Sequence, residues 1–312
     1  MKAVIINKFG GPEVLEYVDV VTPEPESDEI QIRVKAISVN PVDWKVRQGR
    51  LKLVTGKKFP LYLGVEAAGI VEKTGKDAKR IKPGTKIFAG KSHTGGTYAE
   101  YFCVKEKNAV VLPEEMSFEE GCTLAVTGVT SLQALRDHTG LEEGMEVLIN
   151  GASGGVGTYA VQIAKLLGAR VTGVCSSTNK RLVKSLGADR VVDYTVENWN
   201  KKGYKYDIIL DAVGNKNYKQ VKKNLNKQGV LIKLNLSPRT YFDQYITSLF
   251  STKKVKMVLL KNVPDDVKWV RDQIALGNIR VVIDKKFKLE DVRKAHIYSE
   301  TERARGKIIL KP

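Results

Sequence analysis

Seven residues, Gly151-Ala152-Ser153-Gly154-Gly155-Val156-Gly157, lie between the apolar run Val147-Leu148-Ile149 and an amphipathic stretch over residues 156–167. A strand that turns through glycines into a helix offers unpaired N–H groups and the positive end of the helix dipole to an anion. Gly154 and Gly157 let the backbone turn tightly and let the helix pack close to the strand. The setting predicts a pyrophosphate cradle built from Ser153, Gly154, Gly155, Val156 and Gly157, hence a dinucleotide site. An ordinary strand-to-helix loop is the plain alternative, because a glycine motif alone is weakly specific.

The segment beyond the loop narrows the chemistry. About 20 residues further on, an NAD site usually places an acid on the ribose 2′-hydroxyl. Here the strand Arg170–Cys175 runs into Ser176-Ser177-Thr178-Asn179-Lys180-Arg181, with hydroxyls and two cations but no acid. A 2′-phosphate carries extra charge and strong acceptors that such groups meet. Ser176, Ser177, Asn179 and Lys180 are therefore expected contacts, and NADPH the expected carrier. The other reading is that Lys180 and Arg181 only solvate the start of a helix.

These residues need a framework. Helix is predicted over residues 179–186 and 218–225. Strand is predicted over 190–194, 206–214 and 229–235, the alternation of an α/β doubly wound parallel sheet. Ligands bind beyond the carboxyl ends of such strands. That places Tyr194, Asp211, Val213 and Leu234 near the carrier, with Val258 and Leu259 in the apolar stretch 257–260, although strand-end packing would equally explain them.

The first 120 residues differ. Short strands over 30–39, 69–73 and 86–88 are separated by turns such as Gly10-Gly11-Pro12 and Lys82-Pro83-Gly84, which predicts a mainly β domain. Ser117 followed by Glu120 has the spacing of a capping box and marks the change of domain. The expected layout is 1–120, 121–260 as the dinucleotide-binding domain, and 261–312 returning to the first domain.

Composition sets the outer limits. The 312 residues are 42% hydrophobic and 28% charged, enough for two cores. Cys103, Cys122 and Cys175 are too few and scattered for a disulfide framework or a clustered metal site, which predicts a reducing, cytoplasmic setting. No apolar run approaches a membrane span and no cleavable leader is visible. The net charge of +17 is spread along the chain, densest over 216–227, and reads as solvated surface that also attracts an anionic carrier; no specific nucleic acid is expected.

Several motifs in order resemble one family: Ser38-Val39-Asn40-Pro41-Val42-Asp43-Trp44-Lys45, Gly64-Val65-Glu66-Ala67-Ala68-Gly69, residues 126–135, the glycine loop and residues 305–310. Together they are similar to the zinc-independent quinone oxidoreductase branch of the medium-chain dehydrogenase/reductases, including its plant quinone and enone oxidoreductases. The resemblance implies a GroES-like catalytic domain, discontinuous in sequence, with a Rossmann domain inserted and the active site in the cleft between them. It also implies NADPH-dependent reduction of a quinone or an activated carbon–carbon double bond, and a homodimer or a monomer.

The resemblance implies roles as well. Lys45 is the candidate to donate to the substrate oxygen and lies by the carrier, Asn40 would hold the nicotinamide or its ribose, and Asp43 would hold Lys45. Thr127, Gly306 and Lys307 are further expected carrier contacts. Lys45 could instead be an exposed lysine after a turn. Asn40 stands where the zinc alcohol dehydrogenases place their first cysteine ligand, so no metal is expected; His93 and Cys103 are expected at the surface or in packing, and His138 and His296 to be isolated. Gly151, where the branch commonly carries Ala, is expected only to loosen the loop. Another reading of the branch is a polyanion (RNA) or membrane-surface protein of the zeta-crystallin type, and contact with an organelle envelope is the alternative location. The apolar segments 241–250 and 257–260 suit a hydrophobic quinone or enone.

Overall fold

The computed structural model describes residues 1–91, 95–200, 203–235, 237–261 and 263–312. His93 and Leu236 lie outside them. The chain forms two compact units: residues 1–126, 263–275 and 283–312, and residues 127–262 with 276–282.

The first unit is mainly β. Its larger sheet runs in the order Ile283–Lys288, Lys307–Lys311, Glu29–Val39, Glu66–Thr74, Lys86–Gly90, Ala109–Val111, with Tyr101–Lys105 also paired to Glu29–Val39. Strand Glu29–Val39 is the spine. Its β-branched residues Ile30, Ile32, Val34 and Ile37 enter a core with Val4, Ile6, Val71, Ile87, Phe102 and Leu310. Register shifts at Gln31/Ile32 and Val34/Ala36 mark bulges, which let so long a strand bend around that core. A smaller sheet joins Glu16–Asp19, Lys2–Ile6 and Leu61–Tyr62. The spine ends at Val39, and Asn40-Pro41 turns it directly into the helix Pro41–Arg47, where proline at the first position suits the fixed φ and missing N–H.

The second unit is a parallel sheet in the order Arg190–Asp193, Arg170–Cys175, Glu146–Asn150, Tyr206–Asp211, Leu225–Lys233, Lys254–Met257. In chain order this is 3-2-1-4-5-6, the doubly wound arrangement with its switch point beside the first strand. The core joins Leu148, Val174, Ile209, Leu231 and Val255. Sequence pattern did not mark the edge strand Lys254–Met257, because its alternating lysines hide an apolar face of only two residues, Val255 and Met257. Lysine on an edge also discourages pairing with another chain. Residues 276–282 belong to this unit; the Gln162 amide accepts from Arg280 N–H at 2.8 Å and donates to its carbonyl at 3.0 Å. The expected capping box at Ser117 is present, with Ser117 Oγ accepting from Glu120 N–H at 3.2 Å and Glu120 accepting from Ser117 N–H at 2.9 Å. No helix among the described residues is long and apolar enough to cross a membrane.

Candidate active site

In the second unit the strand Glu146–Asn150 ends at Gly151, and the helix Gly155–Leu166 begins with Gly154 as its N-cap. Three glycines here answer to three different demands. Gly151 has φ +86°, and a Cβ there would lie 2.7 Å from Val213 Cγ2, so glycine is dictated by backbone conformation and crowding rather than merely loosening the loop. At Gly157 a Cβ would fall 2.0 Å from the Gly151 carbonyl oxygen, which locks the helix onto the loop. Gly154 is extended at φ −82°, and its Cβ would meet only Gly151 O at 3.5 Å, an ordinary contact. Among the described residues no atom crowds a Cβ at 154, although the N-cap position itself also favours glycine over alanine. The remaining demand is close approach by a ligand to the N–H groups at the helix start, which is what a pyrophosphate makes. The loop therefore fits a dinucleotide. Thr127, buried, accepts the Ser131 hydroxyl at its carbonyl at 2.7 Å, and the same hydroxyl is 3.0 Å from Val156 O.

Beyond the second strand, Ser153 Oγ accepts from the Asn179 amide at 3.1 Å, which also reaches Ser176 Oγ at 3.3 Å, so the glycine loop and the segment after Cys175 form one hydrogen-bonded surface. Lys180 and Arg181 are exposed at the start of the helix Lys180–Ser185. The fold adds a residue that the linear pattern could not: Asp193, opposite Cys175 in the parallel register, accepts the Ser177 hydroxyl at 2.5 Å and the Thr195 hydroxyl at 2.7 Å. These hydrogen bonds, Ser177's first, hold its carboxyl below the usual range. Tyr194 beside it is about half exposed, its N–H donating to Cys175 O at 3.1 Å.

Asp211 is buried and fully engaged. It accepts from the Asn150 amide at 2.8 Å, from Gly214 N–H at 2.9 Å, from Lys216 N–H at 3.2 Å and from Lys233 Nζ at 2.7 Å. Its role is to shape the turn that leaves Val213 exposed, not to offer a free acceptor. Leu234 is half-buried after the fifth strand, Val258 is buried and Leu259 exposed. On the helix Pro238–Phe250, Tyr241, Phe242, Tyr245, Leu249 and Phe250 are exposed.

In the first unit, Asn40, Asp43, Glu66 and Lys307 form one buried cluster. Asn40 Oδ1 accepts from Lys307 Nζ at 2.7 Å, and its amide donates to Glu66 Oε1 at 3.0 Å and Ser38 O at 3.1 Å. Lys307 Nζ is 3.7 Å from Glu66 Oε1, whose other oxygen accepts Val126 N–H at 2.9 Å. Burial pulls the Lys307 ammonium below its ordinary range, partly offset by Glu66, Cys122 and Asp43. Asn40 and Lys307, expected as carrier contacts, are thus tied to each other inside the unit; Gly306, buried at φ +94°, delivers Lys307 to that position.

Asp43 does not hold Lys45. Its Oδ2 accepts Asn40 N–H at 2.7 Å and the Tyr98 hydroxyl at 2.9 Å, and burial raises its pKa to about 7 against the pull of those hydrogen bonds. Helical geometry turns residues two apart to different faces. Lys45 is half-buried, its ammonium 5.5 Å from the centre of the Trp44 ring, and burial lowers its pKa with Arg50 adding to the effect and Glu302 opposing it. An ammonium partly shielded from water beside an aromatic face is a stronger hydrogen-bond donor than a fully hydrated surface lysine.

His296 is not isolated either. It is buried, with Nδ1 3.1 Å from Arg47 Nη1 and Nε2 3.2 Å from Tyr98 OH. Its sequence position, 198 residues from Tyr98, gives no sign of this. His138 shows lowered basicity from burial. Cys103, Cys122 and Cys175 are free and buried.

Two family models match: an alcohol dehydrogenase GroES-like domain over residues 26–114 and a zinc-binding dehydrogenase domain over 186–310. Quinone-oxidoreductase QR1 of Triphysaria versicolor is 36% identical over 100% of this chain and 98% of its own length. The chain belongs to the quinone oxidoreductase branch of the medium-chain dehydrogenase/reductases. It is an oxidoreductase with GroES-like and Rossmann folds. The NADPH-dependent alkenal/one oxidoreductase of Arabidopsis thaliana is 32% identical, covering 100% of this chain and 80% of the relative. The solved structure of Escherichia coli quinone oxidoreductase complexed with NADPH superposes with a TM-score of 0.88 at 27% identity, over 100% of both chains. The second domain model is described by zinc, but the residues here do not fit that ion. The Asn40 and Glu66 oxygens already face the Lys307 ammonium, which repels a cation, and an amide beside a carboxylate is a poor zinc donor pair. Among the described residues no group of three or more His, Cys, Asp or Glu could hold a metal.

Proposed function

We propose that this protein is an NADPH-dependent, zinc-independent reductase that adds hydride to a quinone or to the activated double bond of an α,β-unsaturated carbonyl. The observation that carries the reading is Gly154, whose Cβ position is free of steric demand from the protein itself in a loop shaped for pyrophosphate. The relatives' names support it, as does the neighbour that was solved with NADPH. When bound, the nicotinamide supplies the hydride. Ser153 through Gly157 would receive the pyrophosphate, and Ser176, Asn179, Lys180 and Arg181 the 2′-phosphate. Lys45 donates a hydrogen bond to the substrate oxygen as negative charge grows there, which is where preorganised donors lower a barrier most. The first unit is read as the catalytic domain and the second as the carrier domain.

A steady-state screen of NADPH and NADH oxidation against quinones, enones and enals tests this. Turnover with at least one of these classes and preference for NADPH are expected, the preference shrinking when Lys180 and Arg181 are both changed to Ala. A preference for NADH in the native protein would overturn the carrier assignment, with Asp193 as the acid that explains it.

A further inference from the structure

The reduction as derived leaves a buried polar chain in the first unit without a task. It runs Glu300–Arg47–His296–Tyr98–Asp43, and it has a direction. Arg47 donates to Glu300 Oε1 at 2.6 Å and faces His296 Nδ1 at 3.1 Å. A guanidinium is a donor only, so Nδ1 must accept and the ring proton sits on Nε2. Nε2–H then donates to the Tyr98 oxygen at 3.2 Å, which leaves the phenol O–H to donate to Asp43 Oδ2 at 2.9 Å. Every bond is oriented by the permanent charge of Arg47. The last link is the Asn40 N–H that shares Asp43 Oδ2 and starts the helix carrying Lys45.

We infer that Tyr98 and His296 are positioning residues for the reduction: they hold Asp43 as a carboxylate against the first turn of the helix Pro41–Arg47 and so fix the start of the helix that carries Lys45. The inference rests on the reductase reading. Asp43 is poised, because burial carries its pKa to about 7 while Oδ1 is buried with no partner. Glu66, from the strand Glu66–Thr74, favours its protonation, and Lys307, from Lys307–Lys311, opposes it. The Tyr98 and Asn40 donors favour the ionised form, and Arg47 stands behind Tyr98 through His296. Without the Tyr98 hydroxyl, the carboxylate keeps one donor and takes a proton at higher pH. A protonated Asp43 accepts more weakly from Asn40 N–H, and the turn loosens.

The test compares Tyr98→Phe, His296→Leu and His296→Gln with the native protein; glutamine can still accept from Arg47 and donate to Tyr98. Two readouts are taken against pH: kcat for NADPH oxidation with a quinone, and the infrared band of a buried protonated carboxyl, assigned by its loss in Asp43→Asn. In the native protein the acid limb of kcat should coincide with the carboxyl titration. Tyr98→Phe should move both upward by about one pH unit, roughly a tenfold loss of turnover below the limb, His296→Leu should move both in the same direction by less because the Tyr98 hydroxyl is kept but no longer oriented, and His296→Gln should leave both in place. A lowered melting temperature in Tyr98→Phe with limb and band unmoved would show a purely structural chain and overturn the inference. If the native protein reduces none of the acceptors, the reductase reading falls on its own, while the infrared titration still decides whether the chain sets the ionisation of Asp43.

Discussion

Two alanine substitutions three residues apart should separate a glycine that the fold needs from a glycine that the ligand needs. In Gly157→Ala the new Cβ starts 2.0 Å from Gly151 O and 2.7 Å from Ala152 Cα, both backbone atoms, where real Cβ contacts essentially never fall below 3.0 Å. The helix Gly155–Leu166 must therefore back away from the loop by about 1 Å, and overpacking of that kind costs about 1–3 kcal/mol. At about 2–4 °C per kcal/mol the melting temperature should fall by several degrees. In Gly154→Ala the nearest atom is Gly151 O at 3.5 Å and φ −82° suits alanine, so stability should fall by no more than about 1 kcal/mol, the cost of alanine in place of glycine at an N-cap. The added methyl would instead meet a bound pyrophosphate, and NADPH affinity should fall about tenfold or more, equivalent to about 1.4 kcal/mol. Differential scanning fluorimetry and NADPH titration by fluorescence measure the two effects on the same samples. Native NADPH affinity in Gly154→Ala would refute the placement of the pyrophosphate, and a native melting temperature in Gly157→Ala would refute the packing argument.

Two further outcomes are expected. Lys45→Ala should lower kcat about 10²–10³-fold with NADPH affinity changed far less, as removal of a single donor at a developing oxyanion does; unchanged turnover would take Lys45 out of the mechanism. Asp43 and His296 should show opposed pH dependences of stability. Asp43 binds its proton at about 7 in the fold against 3.8 when unfolded, so its contribution is complete below 3.8 and lost as pH rises to about 7. His296, at about 3 through burial and the nearby Arg47, against 6.5, contributes fully above 6.5 and loses that contribution as pH falls to about 3. Each slope is about 1.4 kcal/mol per pH unit, so the two cancel between about pH 4 and 6.5. Asp43→Asn should make stability fall on acidification through that window and His296→Gln should make it rise, read as urea midpoints; parallel profiles for the native protein and both variants would sink the argument.

Local pattern carried far into this protein, because strand, turn and helix each obey rules of a few residues. The glycine loop, the strand Arg170–Cys175, the capping box at Ser117 and the two-part architecture were legible from period and punctuation. The purpose of each glycine was not: φ at Gly151 and the carbonyl under Gly157 depend on where the loop lies in three dimensions. The six-residue stretch after Cys175 showed no acid, yet parallel pairing sets Asp193 beside it.

By itself the sequence determined most of the elements that form and supplied the expectation, from the glycine loop and the hydroxyl and cation pattern after Cys175, of an anionic carrier. Only tertiary structure decided the company kept by its ionisable groups. Lys307 reaches Asn40 across 267 positions and His296 reaches Arg47 across 249, because the C-terminal strand and the helix Val292–Glu300 pack back into the first unit. The physical reason is that burial makes an unpaired charge costly, so most buried polar groups take whatever partner the packing supplies, however distant in sequence.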